Sequence, residues 1–285
     1  MIPKIIFTYW HDKNIPSFLK LCFKNWEKYN PDFEIRIFNK ESIMKLMNIK
    51  NQNLINKINS HIVQSQSDFF RLYLLYNFGG VWIDASIILL GSLNKDIDFN
   101  SNEIYGFGCE SNNLLMENCF LAAPKNHPFI KLWFFEFIRA IKMETYIYKD
   151  YFIHKIKNIL NKTKSKELKI IIKNFYDLLI NHLPGLPYLS MHACFVIVWI
   201  FTKINLQEYK INIKKISEGP FHYIIFNKWN VEKSCIILTK KSYLDKFGSR
   251  LNSNVIKLCH TQRDCILKLP KNTKIENGSI LSFLK

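Results

Sequence analysis

Residues 67–86 read SDFFRLYLLYNFGGVWIDAS, and their order spells a helix, a glycine turn, a buried strand and an acid at the strand's end. Phe69, Leu72, Leu75 and Tyr76 recur at helical spacing. Asp68 and Arg71 stand three residues apart and so share one helical face. Alone, such a pair is an ordinary solvated ion pair worth a few tenths of a kcal/mol. Gly79 and Gly80 supply the residue type that accepts positive φ where a helix stops. Val81-Trp82-Ile83 then reads as a short buried strand, with Asp84 at its carboxyl end, the place where open α/β sheets keep their ligands. An acid set directly after an aromatic-rich apolar strand must be solvated, paired or bound to a cation to escape a large desolvation cost.

Outward from this segment the pattern alternates. Ile2–Tyr9 reads as a first strand, Pro16–Tyr29 as a helix opened by its proline, and Phe33–Phe38 as a second strand. Glu41–Met47 and Ile62–Phe78 read as helices, and Val81–Ile83, Ile87–Leu90, Ile104–Gly108 and Phe120–Ala123 as strands. Pro128–Lys142 is an amphipathic helix, and Tyr146 to about Phe201 is mainly helical, broken by the LPGLP turn at Leu183–Pro187. Phe221–Phe226, Cys235–Thr239 and Val255–Cys259 read as late strands returning to the sheet. The architecture expected is α/β, one domain over residues 1–285, with a mostly helical insertion at about 128–205.

Composition bounds the functions. The 285 residues, 48% hydrophobic and 15% aromatic, suffice for one large core. The longest apolar runs fall short of the roughly 20 residues that a membrane-spanning helix needs, and Thr8, His11 and Asp12 interrupt any leader-like run. A cytoplasmic location is expected. Seven cysteines without a CxxC pair argue against a disulfide framework and a structural zinc site. Cys259, His260 and Cys265 are better read as isolated side chains than as a metal cluster. The net charge of +17 would suit a nucleic-acid binder, but glycine-aromatic signatures and helix-turn-helix spacing are missing, and the excess is mostly lysine. Between Lys149 and Lys173 basic and apolar residues alternate at helical period, which suits a solvated face, an acidic acceptor or peripheral contact with the anionic inner face of a membrane.

The order of residues 67–86 resembles the S-D-x-x-R-x-x-x-L-x-x-x-G-G-x-[WY]-x-D-x-[DST] signature of glycosyltransferases with a sugar-binding DXD motif, and is most similar to the capsular polysaccharide synthesis branch, related to glycosyltransferase family 32. IPKIIFTYW resembles that family's first strand and NWEKYNPDFEIRIFN its second helix and strand, so the likeness spans roughly residues 2 to 140. It implies a GT-A type, Rossmann-like nucleotide-sugar-binding fold. The implied activity is transfer of a hexose, with retention, from a nucleotide-sugar donor (a UDP-sugar first) to a saccharide or lipid-linked saccharide acceptor. A degenerate fold that binds a nucleotide sugar or a partner without catalysis is the alternative.

The resemblance also distributes roles. Asp68 would bind hydroxyls of the transferred sugar, Arg71 the sugar and the aspartate after the strand, and Thr8, Tyr9 and Trp10 the nucleotide base, with Trp10 able to stack on it. A departing diphosphate needs positive charge, which Mn²⁺ or Mg²⁺ would supply through oxygen ligands. Asp84 is the expected metal ligand, with Ser86 at the motif's second acidic position and His260 as a late ligand completing the shell. Lys257 and Arg263 are basic groups near enough in sequence to contact the diphosphate. On the acceptor side stand Glu110, Glu117 and Asn118, and the pair Asp150 and His154 on one helical face. His11, His127, His192 and His222 carry no distinguishing context.

Overall fold

A computed structural model describes residues 1–108, 116–143, 145–166, 169–170, 172–173, 186–204, 209–270 and 272–285. A six-stranded mixed sheet runs in the order β2-β1-β3-β6-β5-β7. Its strands are β1 (Ile5–Tyr9), β2 (Glu34–Phe38), β3 (Gly80–Ile83), β5 (Ile104–Gly108), β6 (Met116–Ala123) and β7 (Ile211–Lys215). Strand β1 pairs in parallel with both β2 and β3, with Phe7 opposite Trp82, and β3 pairs antiparallel with β6, with Trp82 opposite Leu121. Side chains alternate across each strand. Phe7, Trp82 and Leu121 therefore enter the core on one face of the sheet, while Ile6, Val81 and Phe120 enter the core on the other.

Helix α4 (Val63–Phe78) covers the first face together with α5 (Pro128–Lys142) and α7 (Leu186–Ile204); α6 (Thr145–Lys162) lies between α5 and α7 in sequence. Trp133 of α5 donates its indole N–H to the Met191 carbonyl of α7 at 2.8 Å, which locks two of these helices together. The second face carries α1 (Ser17–Tyr29) and a separate two-stranded ribbon, β4 (Ile87–Leu89) with β8 (Val255–Lys257). Asn25 of α1 grips β4 at both Leu89 groups, donating at 2.9 Å and accepting at 2.8 Å, and Trp26 donates to the Ile87 carbonyl at 2.9 Å. These bonds fix the ribbon to the body of the molecule.

The expected early elements, including the α/β alternation, are present with small shifts at their ends, and two short helices, α2 (Lys40–Met47) and α3 (Gln52–Ser60), lead into α4. The late strands need correction. Residues 221–226 contain helix α8 (His222–Phe226), and Cys235–Thr239 lies in and just beyond α9 (Val231–Leu238). Short apolar runs fit either period, and here the helical one wins. Val255–Lys257 is a strand, but it pairs with β4 and not with the main sheet. The strand that does return is β7, whose alternating INIKK places lysines on a sheet edge. The chain continues through α10 (Lys241–Phe247) and α11 (His260–Leu267). Of the expected turn at Leu183–Pro187, residues 183–185 lie outside the described residues and Leu186 and Pro187 open α7 instead, and among the described residues no helix is long and apolar enough to cross a membrane.

Gly79 and Gly80 set the angle between α4 and β3. Gly79 ends the helix at φ 68°, ψ −168°, a region closed to residues with a side chain, and a Cβ there would stand 2.4 Å from the Lys125 nitrogen. Gly79→Ala is expected to lower stability by roughly 1–3 kcal/mol from backbone strain alone, with more from the clash. A urea midpoint equal to that of the wild-type chain would refute this account of the turn.

Candidate active site

The cleft at the carboxyl ends of β1 and β3 has a volume of about 420 Å³ and is lined by Tyr9, Trp10, His11, Ser67, Asp68, Arg71, Asp84, Ser86, Asn118, Lys257 and Arg263, among others. Helix α4 delivers Asp68 and Arg71 to its floor, where both are about as buried as core residues, at 3% and 2% exposed. The pair is therefore no solvated surface pair. Arg71 Nη1 donates to Asp68 Oδ1, and Nη2 donates to Asp84 Oδ1 at 3.0 Å, so one guanidinium bridges the two acids. Its plane lies 4.7 Å from the Trp82 ring centroid, and Nη1 also reaches Met191 Sδ at 3.1 Å. A planar fork with several donors can do this; an ammonium cannot.

Asp84 is fully engaged. Oδ1 accepts from Arg71 and, at 2.9 Å, from Trp82 Nε1, while Oδ2 accepts from Lys257 Nζ at 2.7 Å. Burial works to raise its pKa, but Lys257 and then Arg71 outweigh that and hold the carboxyl down at about 2. Burial raises the neighbouring Asp68 carboxyl, against the pull of Arg71. Asn118 Nδ2 donates to Asp68 Oδ1 at 2.9 Å, a second donor to that carboxylate beside Arg71. Glu117 Oε2 lies 4.0 Å from His192 Nε2, and burial raises the acid and lowers the histidine to about 4, so both favour their neutral forms. Methionine 191 and His192 reach this region from α7, where no local pattern in the sequence singles them out.

Several buried polar atoms here have no hydrogen-bond partner among the described residues: Thr8 Oγ1, Tyr9 Oη, Trp10 Nε1, Arg71 Nε and Arg263 Nε. Buried polar groups are almost always hydrogen-bonded, so the four on the cleft-lining residues Tyr9, Trp10, Arg71 and Arg263 mark a site suited to a polar ligand. The Arg263 guanidinium lies 5.9 Å from the Trp10 ring. Trp10 lines the cleft, as does Tyr9, whereas Thr8 is fully buried behind them.

Some expected site residues fall elsewhere. His260 is exposed at the first position of α11 and does not line the cleft, because the chain turns outward after Leu258. Asp150 and His154 are exposed on α6, away from the cleft. Glu110 lies outside the described residues.

The donor set does not fit the divalent ion that the resemblance implies. Such an ion is usually held by one or two carboxylates with free oxygens, waters and substrate phosphates completing its shell. Here one carboxylate faces the position, with both oxygens already accepting hydrogen bonds, and the Ser86 hydroxyl donates to the Leu258 carbonyl at 2.7 Å while accepting from Lys257 Nζ at 3.2 Å. Among the described residues no three His, Cys, Asp or Glu side chains are grouped to hold a metal.

An alignment 151 positions long, covering 46% of the chain, is 28% identical to the O-glycosyltransferase braB of Annulohypoxylon truncatum, and the chain spans only 36% of that relative's length. Among solved structures, the PaToxG glycosyltransferase superposes with a TM-score of 0.39 at 18% identity, covering 71% of this chain and 78% of that one. The UDP-bound glycosyltransferase domain of the YGT toxin superposes at 0.44 and 11% identity, covering 95% of each chain. No site residue is transferred from these distant overlaps. The profile of the capsular polysaccharide synthesis proteins matches residues 1–184, which include β1, α4, β3 and every cleft residue up to Asn118, and the chain belongs to that family.

Proposed function

We propose that the chain is a glycosyltransferase of the GT-A type that moves a hexose from a nucleotide-sugar donor, a UDP-sugar first, to a saccharide or lipid-linked saccharide acceptor in surface polysaccharide synthesis. One observation carries the reading: a buried Asp68–Arg71–Asp84 bridge floors a polar cleft whose walls hold an indole and unpartnered donors. A carboxylate that only accepts and a guanidinium that only donates match vicinal sugar hydroxyls. Trp10 offers a face for a uracil ring.

In the reaction the bond between the sugar's C1 and the β-phosphate oxygen breaks, and its electron pair leaves on that oxygen. The acceptor's hydroxyl oxygen forms the new bond to C1. For transfer with retention, attack comes on the face from which the phosphate departs, and the hydroxyl proton passes to the departing phosphate oxygen. Asp68, oriented by Arg71 and Asn118, holds the sugar so that C1 faces that oxygen. The cleft's cationic groups stabilise the charge that develops on the diphosphate.

A thermal-shift screen of UDP, GDP, UDP-sugars and GDP-sugars tests this reading, with and without Mn²⁺. A ligand at about 100 times its Kd adds about 2.7 kcal/mol of stability. UDP and at least one UDP-sugar are expected to raise the Tm, and Trp10→Ala to weaken UDP by the ~1–3 kcal/mol typical of one base stacked on an aromatic ring. No shift with any nucleotide would sink the proposal. Binding without release of UDP from any UDP-sugar, with acceptor saccharides present, would favour the non-catalytic binder.

A further inference from the structure

We propose that Lys257, not a divalent metal ion, supplies the positive charge that the donor's diphosphate meets, so that this transferase works without a metal. The inference rests on the donor reading above. Lysine 257 is the last residue of β8 and stands opposite Ile87 in the β4–β8 ribbon. Its backbone is pinned on both sides: its N–H donates to the Pro220 carbonyl at 2.9 Å, and its carbonyl accepts from Tyr223 Oη at 2.8 Å. One residue on, the Leu258 N–H donates to the Ser86 carbonyl at 3.1 Å and its carbonyl accepts from the Ser86 hydroxyl. The ribbon itself is held to α1 by Asn25 and Trp26. A long flexible side chain is thus launched from a fixed base directly at Asp84.

The ammonium ends 2.7 Å from Asp84 Oδ2 and 3.2 Å from Ser86 Oγ, the two groups expected to hold a metal ion. An ammonium has three donors. Two are spent on Asp84 and Ser86, which leaves one for a ligand in the cleft that Lys257 lines. Charge balance agrees. Asp68, Arg71, Asp84 and Lys257 sum to zero, so before the diphosphate arrives the cluster has no net negative charge to hold a dication, and an ion at Asp84 would have to displace the ammonium 2.7 Å from Oδ2. A diphosphate entering above this set meets Lys257 from the β3 end and Arg263, whose Nε has no partner, from the Trp10 side. When the bond to C1 breaks, the ammonium donates a hydrogen bond to the β-phosphate oxygen that takes the electron pair. No proton need be transferred from it.

Calorimetric titration with UDP and turnover of a UDP-sugar, each in EDTA and in excess Mn²⁺, test the assignment. The wild-type chain is expected to bind UDP equally well in both buffers. Lys257→Met, which keeps the aliphatic stem, is expected to lose about 10- to 100-fold in UDP affinity in EDTA, the scale of one charged hydrogen bond, and Lys257→Arg to retain most of it. Wild-type UDP binding or turnover that vanishes in EDTA and returns with Mn²⁺ overturns the proposal without any variant needing to fold. So does a folded Lys257→Met chain that binds UDP as tightly as the wild type. UDP binding that needs Lys257 and no metal, but without sugar transfer, would keep this inference and remove the catalytic reading. No UDP binding in either buffer removes both.

Discussion

Asp84→Asn is expected to lower turnover by about 10²- to 10³-fold, the cost of losing one preorganised electrostatic contact in a buried site, while UDP binds at least as tightly as before. The carboxylate accepts three hydrogen bonds, from Arg71, Trp82 and Lys257. An amide of the same shape presents N–H donors toward one side of that arrangement, so either the Arg71 and Trp82 side or the Lys257 side meets a donor facing a donor. The Arg71 guanidinium and the Lys257 ammonium, to which the proposal gives the sugar and the diphosphate, then lose their common anchor. The same change leaves the four-residue cluster with a net charge of +1, which favours an anionic nucleotide. A metal-holding aspartate predicts the opposite split, because the Asn variant would lose its ion and UDP affinity would fall with turnover. Measuring kcat and the UDP Kd on one preparation decides between them; a variant with wild-type kcat would remove Asp84 from the mechanism.

The pH dependence follows from the same contacts. Lys257 and Arg71 hold the Asp84 carboxyl near 2 against burial. A carboxyl whose folded pKa is depressed contributes stability that is present above its ordinary range, near 4, and is lost as the pH falls through the folded value. The acid limb of wild-type unfolding thus includes a component that Asp84→Asn lacks.

What was legible in the sequence was local. Asp68 and Arg71 are three residues apart on one helix, and Asp84 is one residue beyond a four-residue strand, so chain geometry alone brings all three to the same end of the sheet. Trp10 follows β1 in the same way. Lysine 257 reaches Asp84 across 173 residues of chain. Nothing near either residue encodes that contact, because it is set by the register of β4 against β8 and by the grip of α1 on β4. Among the many lysines of this chain it looked like one more basic group. His260 shows the converse: its place after an apolar strand suggested a ligand, but two residues past β8 the chain opens α11, whose first side chain faces solvent. Asn118, expected beside the acceptor, bonds Asp68 from β6, a contact visible only once β6 is paired to β3.

Arg71 is where fold and chemistry depend most on one side chain, and its substitutions should separate the two. Arg71→Ala leaves Asp68 buried with only Asn118 to oppose its charge, and breaking a buried pair by removing one partner costs about 3–5 kcal/mol. Such a loss is a large share of the roughly 5–15 kcal/mol that stabilises a typical domain, so urea unfolding is expected to begin at far lower concentration. Lowering the pH should partly repair the damage. Burial already raises the Asp68 carboxyl in the intact chain, and without the guanidinium it rises further. The folded state then binds a proton more readily than the unfolded chain, so stability increases as the pH falls from above that raised value toward the ordinary carboxylate range. The gain on moving from neutral pH to about pH 5.5 should therefore be larger for Arg71→Ala than for the wild type; a variant insensitive to pH over that range would mean that Asp68 is not held charged by Arg71. Arg71→Lys separates the roles. It keeps a positive charge beside Asp68 and so most of the stability, but a compact ammonium lacks the planar fork whose two separate nitrogens reach Asp68 and Asp84. Near-wild-type unfolding combined with loss of transfer would locate the function of Arg71 in its fork, whereas wild-type turnover from the lysine variant would show that charge alone suffices.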